Sequence, residues 1–316
     1  MRDPYFDNAK YLAIVLVVCG HLVEDLRDDP VAHALYFYVY LFHMPLFIVL
    51  SGYLSGARPD AGKLLVALGV PYVIFEVAYS LPRLLLYGKF ELSLLDPYYL
   101  TWFLMSLLLW RLSTPLWTKV RRPLAIAVVV SLAAGTVALP DELSMNRTLG
   151  LLPFFVAGLV LRPEHLERLR RWRIAGAVVL AVGAVVALRV HTMVPTEWIR
   201  WRQSNAAIGV DDLAGSLVRL ALLVVGAVLV AAFLAVTPAR RTWFSGLGAA
   251  TMYAYLLHGF VVKVAERFEL GVPLSVVLGV VVATLLCTPP VRAVFRWAVE
   301  PRAVLSGRWS ATTSGR

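Results

Sequence analysis

Charge is scarce in this chain. Charged residues fill 16% of its 316 positions, where a soluble domain devotes about a quarter to them. Lysine is rarer still, with five against 25 arginines. Two cysteines, Cys19 and Cys287, sit inside apolar stretches, so neither a disulfide framework nor a thiolate metal site is readable and no metal is expected. There is no glycine-rich phosphate loop, no His-Glu-x-x-His zinc helix and no Gly-x-Ser-x-Gly nucleophile elbow. Internal repeats, low-complexity tracts and any polar stretch large enough for a soluble domain are also missing.

What fills the chain instead is hydrocarbon. It is 59% hydrophobic, with a mean hydropathy of +0.74. A spanning helix needs about 20 apolar residues. Segments at 8–25, 31–55, 63–87, 97–118, 123–139, 148–161, 173–190, 213–236, 246–265 and 273–297 meet or approach this. The expected fold is all-α: a polytopic transmembrane bundle of about ten spanning helices. The sixth segment is short, and the first has only thirteen residues, Tyr11 to Val23, between flanking charges. That first run lacks a small-residue cleavage site and precedes Glu24 and Asp25, so it reads as a retained helix and not a signal peptide.

The net charge of +10 follows the loops. Nineteen of the 30 basic residues lie at the N-terminus, in the even-numbered loops or at the C-terminal end, and seven in the odd-numbered loops. Lysine and arginine collect on the cytoplasmic side. Both termini are therefore expected in the cytoplasm, in a plasma (inner) membrane, with residues 3–297 as one membrane domain and 298–316 as a cytoplasmic tail. The charge needs no nucleic acid to explain it. In the longest outer loop, 191–212, Trp198 and Trp201 read as interfacial anchors and not as sugar platforms.

Ionisable groups inside such segments are costly and mark function. Asp7, Lys10, Ile14, Val17 and His21 fall on one helix face, because eleven residues at about 100° each return to the same side. Asp7 can pair with Lys10 at i+3. Lys10 and His21 are separated by a rise of roughly 16 Å. A cation at the mouth suits a cofactor phosphate, and a histidine deeper in suits a base acting at the end of a long cofactor arm. On spacing alone the same stripe fits a histidine bonding between helices and a snorkelling lysine. His43 and His258 lie mid-span, and with His21 they are positioned to converge on a polar cavity. Taken alone, the stretch from His43 through Ser51, Gly52 and Tyr53 reads as packing, with Pro45 a kink and Ser51-Gly52 a point of close helix approach.

The stretches FDNAKYLAIVLVVCGH and FHMPLFIVLSGYL resemble the membrane acyltransferase 3 family, and within it the bacterial sugar O-acetyltransferases of the fucose and Nod-factor type. TWFLMSLLLWRL at 101–112, LLPFFVAGL at 151–159 and MYAYLLHGF at 252–260 support the resemblance, which covers about residues 3–297. It implies acetyl transfer from acetyl-CoA, bound from the cytoplasm, to a hydroxyl of a carbohydrate, a lipid-linked sugar or a glycosylated small molecule. It also implies that His21 is the essential histidine, which either deprotonates the acceptor hydroxyl or transiently carries the acetyl group, with Lys10 its basic partner and Asp7 the acidic position before it. The family often carries an arginine four residues before Pro71-Tyr72. Ala67 stands there, and Lys63, one turn earlier, is the substitute. His43, Ser51, Tyr53, Trp102 and His258 are the expected pocket lining. The competing expectation is a transporter or flippase of a glycoconjugate that uses the histidines as proton relays.

Overall fold

The computed structural model describes residues 3–57, 59–88, 92–268 and 270–301. The expected tail beyond 301 lies outside these residues. Every regular element among them is helical. Aspartate–proline pairs open the first two long helices. Asp3 caps α1 (Pro4–Leu22) by accepting the Tyr5 N–H at 2.9 Å, and Asp29 caps α2 (Pro30–Tyr53) at Val31 and Ala32. The carboxylate satisfies orphan backbone donors, and proline at the first position forfeits no hydrogen bond. A π-turn at Leu65–Gly69 joins α3 (Ala61–Leu64) to α4 (Val70–Tyr87). Then come α5 (Trp102–Trp117), α6 (Pro123–Gly135), α7 (Met145–Gly150), α8 (Leu152–Val160), α9 (Pro163–Arg170) and α10 (Arg173–Val190). Short α11 (Thr196–Arg200) and α12 (Asn205–Ile208) precede α13 (Asp212–Val236), α14 (Thr251–Ala265), α15 (Val272–Leu286) and α16 (Pro289–Val299).

Apolar side chains are exposed in stripes. Helix α10 turns out Ile174, Val178, Val182 and Val185, and α13 turns out Leu213, Leu217, Leu220, Val224 and Val228. Steps of three and four residues put each set on one helix face. Water penalises such a surface and lipid chains do not. This is a multi-pass membrane protein.

The ten apolar segments all contain helix, but a count of ten spans is not reached by length and hydropathy. Five stretches qualify: Pro30–Tyr53, Ala61–Leu85, Arg173–Val190, Asp212–Val236 and Leu247–Ala265. The number becomes seven if each of two bent pairs is one span. The shortfall has physical causes. Helix α1 begins with the polar residues Asp7, Asn8 and Lys10, and α5 and α6 are 16 and 13 residues long. The segment 148–161 is the second part of a pair bent by 56°. The segment 273–297 breaks by 71° before Pro289 and Pro290, where a straight helix would need backbone donors that proline lacks. Helix α16 beyond the break is amphipathic, with Arg292 and Arg296 against exposed Val294 and Trp297.

Two tight contacts set the frame. Gly52 of α2 and Gly158 of α8 let the two backbones meet: a Cβ on Gly52 would collide with the Phe155 carbonyl, and one on Gly158 with that of Val49. Asn8, fully buried on α1, spends its whole side-chain amide on one loop. It donates to the Pro238 (2.8 Å) and Arg240 (3.0 Å) carbonyls and accepts from Thr242 (2.9 Å) and Ser245 (2.6 Å). Gly158→Val is expected to destabilise the bundle by more than about 2 kcal/mol, since backbone cannot yield as a side chain does. Gly56→Ala, with open space around it, is expected to be neutral. Thermal melting followed by size-exclusion chromatography in detergent reads both, and equal melting would count against the contact.

Candidate active site

Two cavities open along α1. The lower one, about 1250 Å³, lies at the end where α1 begins. Lys10, Ser51, Lys63, Arg111, Arg292 and Arg296 line it, with Glu300 the one lining carboxylate among the described residues. Lys10 is held by Asp7 at 2.7 Å, and Glu300 takes two hydrogen bonds from Arg292 at 3.0 Å. The Arg111 Nε is buried and has no hydrogen-bond partner among the described residues. Lys10 and Lys63 keep carboxylate partners of their own in Asp7 and Asp60, and Arg111, Arg292 and Arg296 against Glu300 leave a positive excess that fits an anionic ligand.

The upper cavity, about 740 Å³, lies where α1 ends. His21, Tyr40, His43, Trp102 and Trp201 are in its wall. The two cavities share Met44 and Tyr255, so these side chains form a common partition. Tyr255 is fixed there by its hydroxyl, which donates to the Leu100 carbonyl. The stripe read from the sequence thus puts Lys10 and His21 on one helix face but in different cavities.

At the top of α1, the His21 Nδ1 lies 3.1 Å from Glu24 Oε2 and 3.3 Å from the Tyr40 hydroxyl. A carboxylate can only accept, so Nδ1 carries the proton and Nε2 is left as the basic nitrogen. The His258 ring stands 5.3 Å from that of His21, and Tyr40 and Tyr99 pack edge-on at 5.8 Å. Glu24 is itself held. Its Oε1 accepts from Arg200 at 2.7 Å, and Tyr36 donates to it from 3.4 Å. Burial pushes the Glu24 carboxyl up, but the hydrogen bond to His21 and the charges of His21, Arg200 and Arg27 outweigh this and lower it to about 2. Glu24 is the residue that sequence reasoning missed. The i, i+3 spacing from His21 was the available signal.

Of the other expected residues, His43 and Trp102 line the upper cavity, and Ser51 and Lys63 the lower. His43 bonds through Nδ1 to the Val39 carbonyl at 2.8 Å. Lys63 is half-exposed and paired with Asp60 at 2.7 Å. His258 is fully buried behind His21, its Nδ1 on the Ala254 carbonyl and its Nε2 without a partner among the described residues. Tyr53 lines neither cavity and stacks on Phe6 at 4.9 Å. Cys19 turns away toward α15, where its thiol meets the Val276 carbonyl at 3.5 Å. The anchor reading of Trp198 and Trp201 is corrected: both are buried, they flank the buried Arg219 at 5.6 and 5.5 Å, and Trp201 lines the upper cavity. In the sequence Arg111, Arg292 and Arg296 carry no signal that separates them from other basic residues near the ends of apolar segments. Among the described residues no group of three His, Cys, Asp or Glu side chains converges as a metal site would require.

The sequence matches the acyltransferase domain family, acyltransferase 3, over residues 3–292. The chain belongs to that family. Nodulation protein NolL of Mesorhizobium japonicum is 48% identical over 58 residues, 17% of this chain and 16% of that protein. Nodulation protein NolL of Sinorhizobium fredii is 45% identical over 58 residues, again 17% and 16%. The chain thus spans about a sixth of the length of these curated relatives. No solved structure matches. The His21–Glu24 pair is a carboxylate-oriented imidazole.

An unfolded glutamate titrates near ~4.3, above the value of about 2 in the fold. The stabilisation from ionised Glu24 is therefore complete above pH ~4.3 and is lost as the pH falls toward 2. Wild type and Glu24→Gln should melt at different temperatures at pH 6 and converge over that acid window. A gap unchanged across it would mean that the carboxylate charge is not its source.

Proposed function

We propose that this membrane acyltransferase moves an acetyl group from acetyl-CoA to a hydroxyl of a carbohydrate or glycoconjugate. One observation carries the reading: a cationic cavity and a cavity with a carboxylate-oriented histidine meet at a shared partition. The bias of basic residues supports a cytoplasmic lower end, where acetyl-CoA is available. Lys10, Lys63, Arg111, Arg292 and Arg296 would hold its phosphates. Acetyl-CoA supplies an acyl group activated as a thioester. The roughly 16 Å rise from Lys10 to His21 suits a long, thin arm passing Met44 and Tyr255.

The chain's own part is then acid–base chemistry and positioning. His21 Nε2 takes the proton of the acceptor hydroxyl as its oxygen attacks the thioester carbonyl. Glu24 stabilises the imidazolium that forms. His21 returns the proton to the departing sulfur as the C–S bond breaks, so both protons and electron pairs are accounted for. General-base action of this kind is worth about 10²–10⁴-fold, and holding two substrates at one partition adds to it. Trp102, Trp201, Tyr98 and Tyr99 offer the upper cavity the aromatic faces on which a sugar ring can lie. Membership of an acyltransferase family favours this reading over a glycoconjugate flippase.

Inside-out vesicles given radiolabelled acetyl-CoA should incorporate label into sugar-containing material. His21→Ala at matched expression should abolish this, and Glu24→Gln should lower turnover by about 10²-fold or more with the acetyl-CoA KM little changed. Arg111→Ala and Arg296→Ala should each raise the acetyl-CoA KM about tenfold, the worth of a charge-assisted hydrogen bond. Equal labelling by wild type and His21→Ala would remove His21 from the chemistry.

A further inference from the structure

The upper cavity carries more positive charge than a neutral sugar needs. Of the seven basic residues in the odd-numbered loops, Arg147, Arg200 and Arg202 line it. Among the described residues the carboxylates facing it are Glu24 and Asp96. Glu24 is already engaged by His21 and Arg200. Asp96 and Asp141 border a small adjoining hollow with Arg147 and Arg202, yet among the described residues neither pairs with these arginines. Arg147 donates its Nε to the Arg200 carbonyl at 3.2 Å and lays its guanidinium over the Trp102 ring at 4.8 Å. Its terminal nitrogens are left for something else.

Gathering guanidinium groups around one concave, partly dry space costs free energy, because like charges repel and low dielectric strengthens the repulsion. Nothing in the helix packing calls for it: the loop is already pinned by Arg219, which donates to Asn205 at 2.8 Å and to the Gln203 carbonyl. An anionic ligand removes the penalty, and a guanidinium fork matches phosphate or carboxylate in two parallel hydrogen bonds. We infer that the acceptor is an anionic glycoconjugate whose phosphate or carboxylate docks on Arg147 and Arg202, beside the Trp102 and Trp201 rings, with a hydroxyl turned to His21. This rests on the acetyl-transfer reading and specifies its acceptor.

The test uses carbohydrate-containing material from a host strain lacking this protein, separated by anion exchange into neutral and anionic fractions. Vesicles with the full chain receive radiolabelled acetyl-CoA and each fraction in turn. Label is expected in the anionic fraction. Label that depends on His21 but enters only the neutral fraction overturns the anionic acceptor and leaves the transferase standing. No label in either overturns both. Pretreating the anionic fraction with hydrofluoric acid, which strips phosphoryl groups, separates the sources: lost acceptor activity assigns the charge to phosphate, and retained activity to carboxylate. Arg202→Gln, at an exposed position, should raise the half-saturating acceptor concentration about tenfold without moving that of acetyl-CoA, and Arg202→Lys should recover most of it. Unchanged acceptor saturation in both Arg147→Gln and Arg202→Gln overturns the assignment.

Discussion

One carboxylate organises the upper half of this protein. Glu24 sits in the short turn after α1 and collects His21 from α1, Tyr36 and Tyr40 from α2, and Arg200 from the end of α11. The four partners come from three elements of the chain. Removing a part-buried acceptor strands the donors that used it, which is why such a node holds several elements at once. The same bonds fix the tautomer of His21, so the architecture of the turn and the chemistry of the base have a single origin.

The bundle around that node separates two environments. Below the Met44–Tyr255 partition the lining is cationic and open enough for a large anion. Above it, aromatic rings and arginines surround a histidine. Close packing of α2 on α8 through Gly52 and Gly158 keeps α2 in place between the two, since α2 contributes Met44 to the partition, His43 to the upper wall and Ser51 to the lower. A polar passage is tolerable inside lipid only when protein surrounds it, and the bent and short helices do that work. Helix α16 is an example. By turning through 71° from α15 it brings Arg292 and Arg296 to the lower cavity.

The buried Arg219 shows how a costly group can be made structural. It lies between Trp198 and Trp201 and bonds to Asn205 and Gln203, so its charge is spread over two ring faces and two oxygens. This holds Trp201 in a left-handed backbone conformation against Gly150, where a side chain would collide with the indole. The loop at 191–212 is therefore a wall of the upper cavity and not an interfacial fringe.

By itself the sequence determined the chemistry of the surface and the periodicity of the segments. Hydropathy declared a helical membrane protein, and the eleven-residue step placed Lys10 and His21 on one face, because helix geometry is local. It also carried the family, through motifs near His21, His43 and His258. The prolines at 289 and 290 already mark one break in the sequence, but only tertiary structure decided how sharply each pair bends, by 71° there and by 56° at 151. Only tertiary structure paired His21 with an Arg200-bound Glu24, put Lys10 and His21 in separate cavities and turned Trp201 and Arg147 inward. The Glu24–Arg200 contact joins residues 176 positions apart, and no local pattern encodes a contact whose partners meet only when the bundle closes.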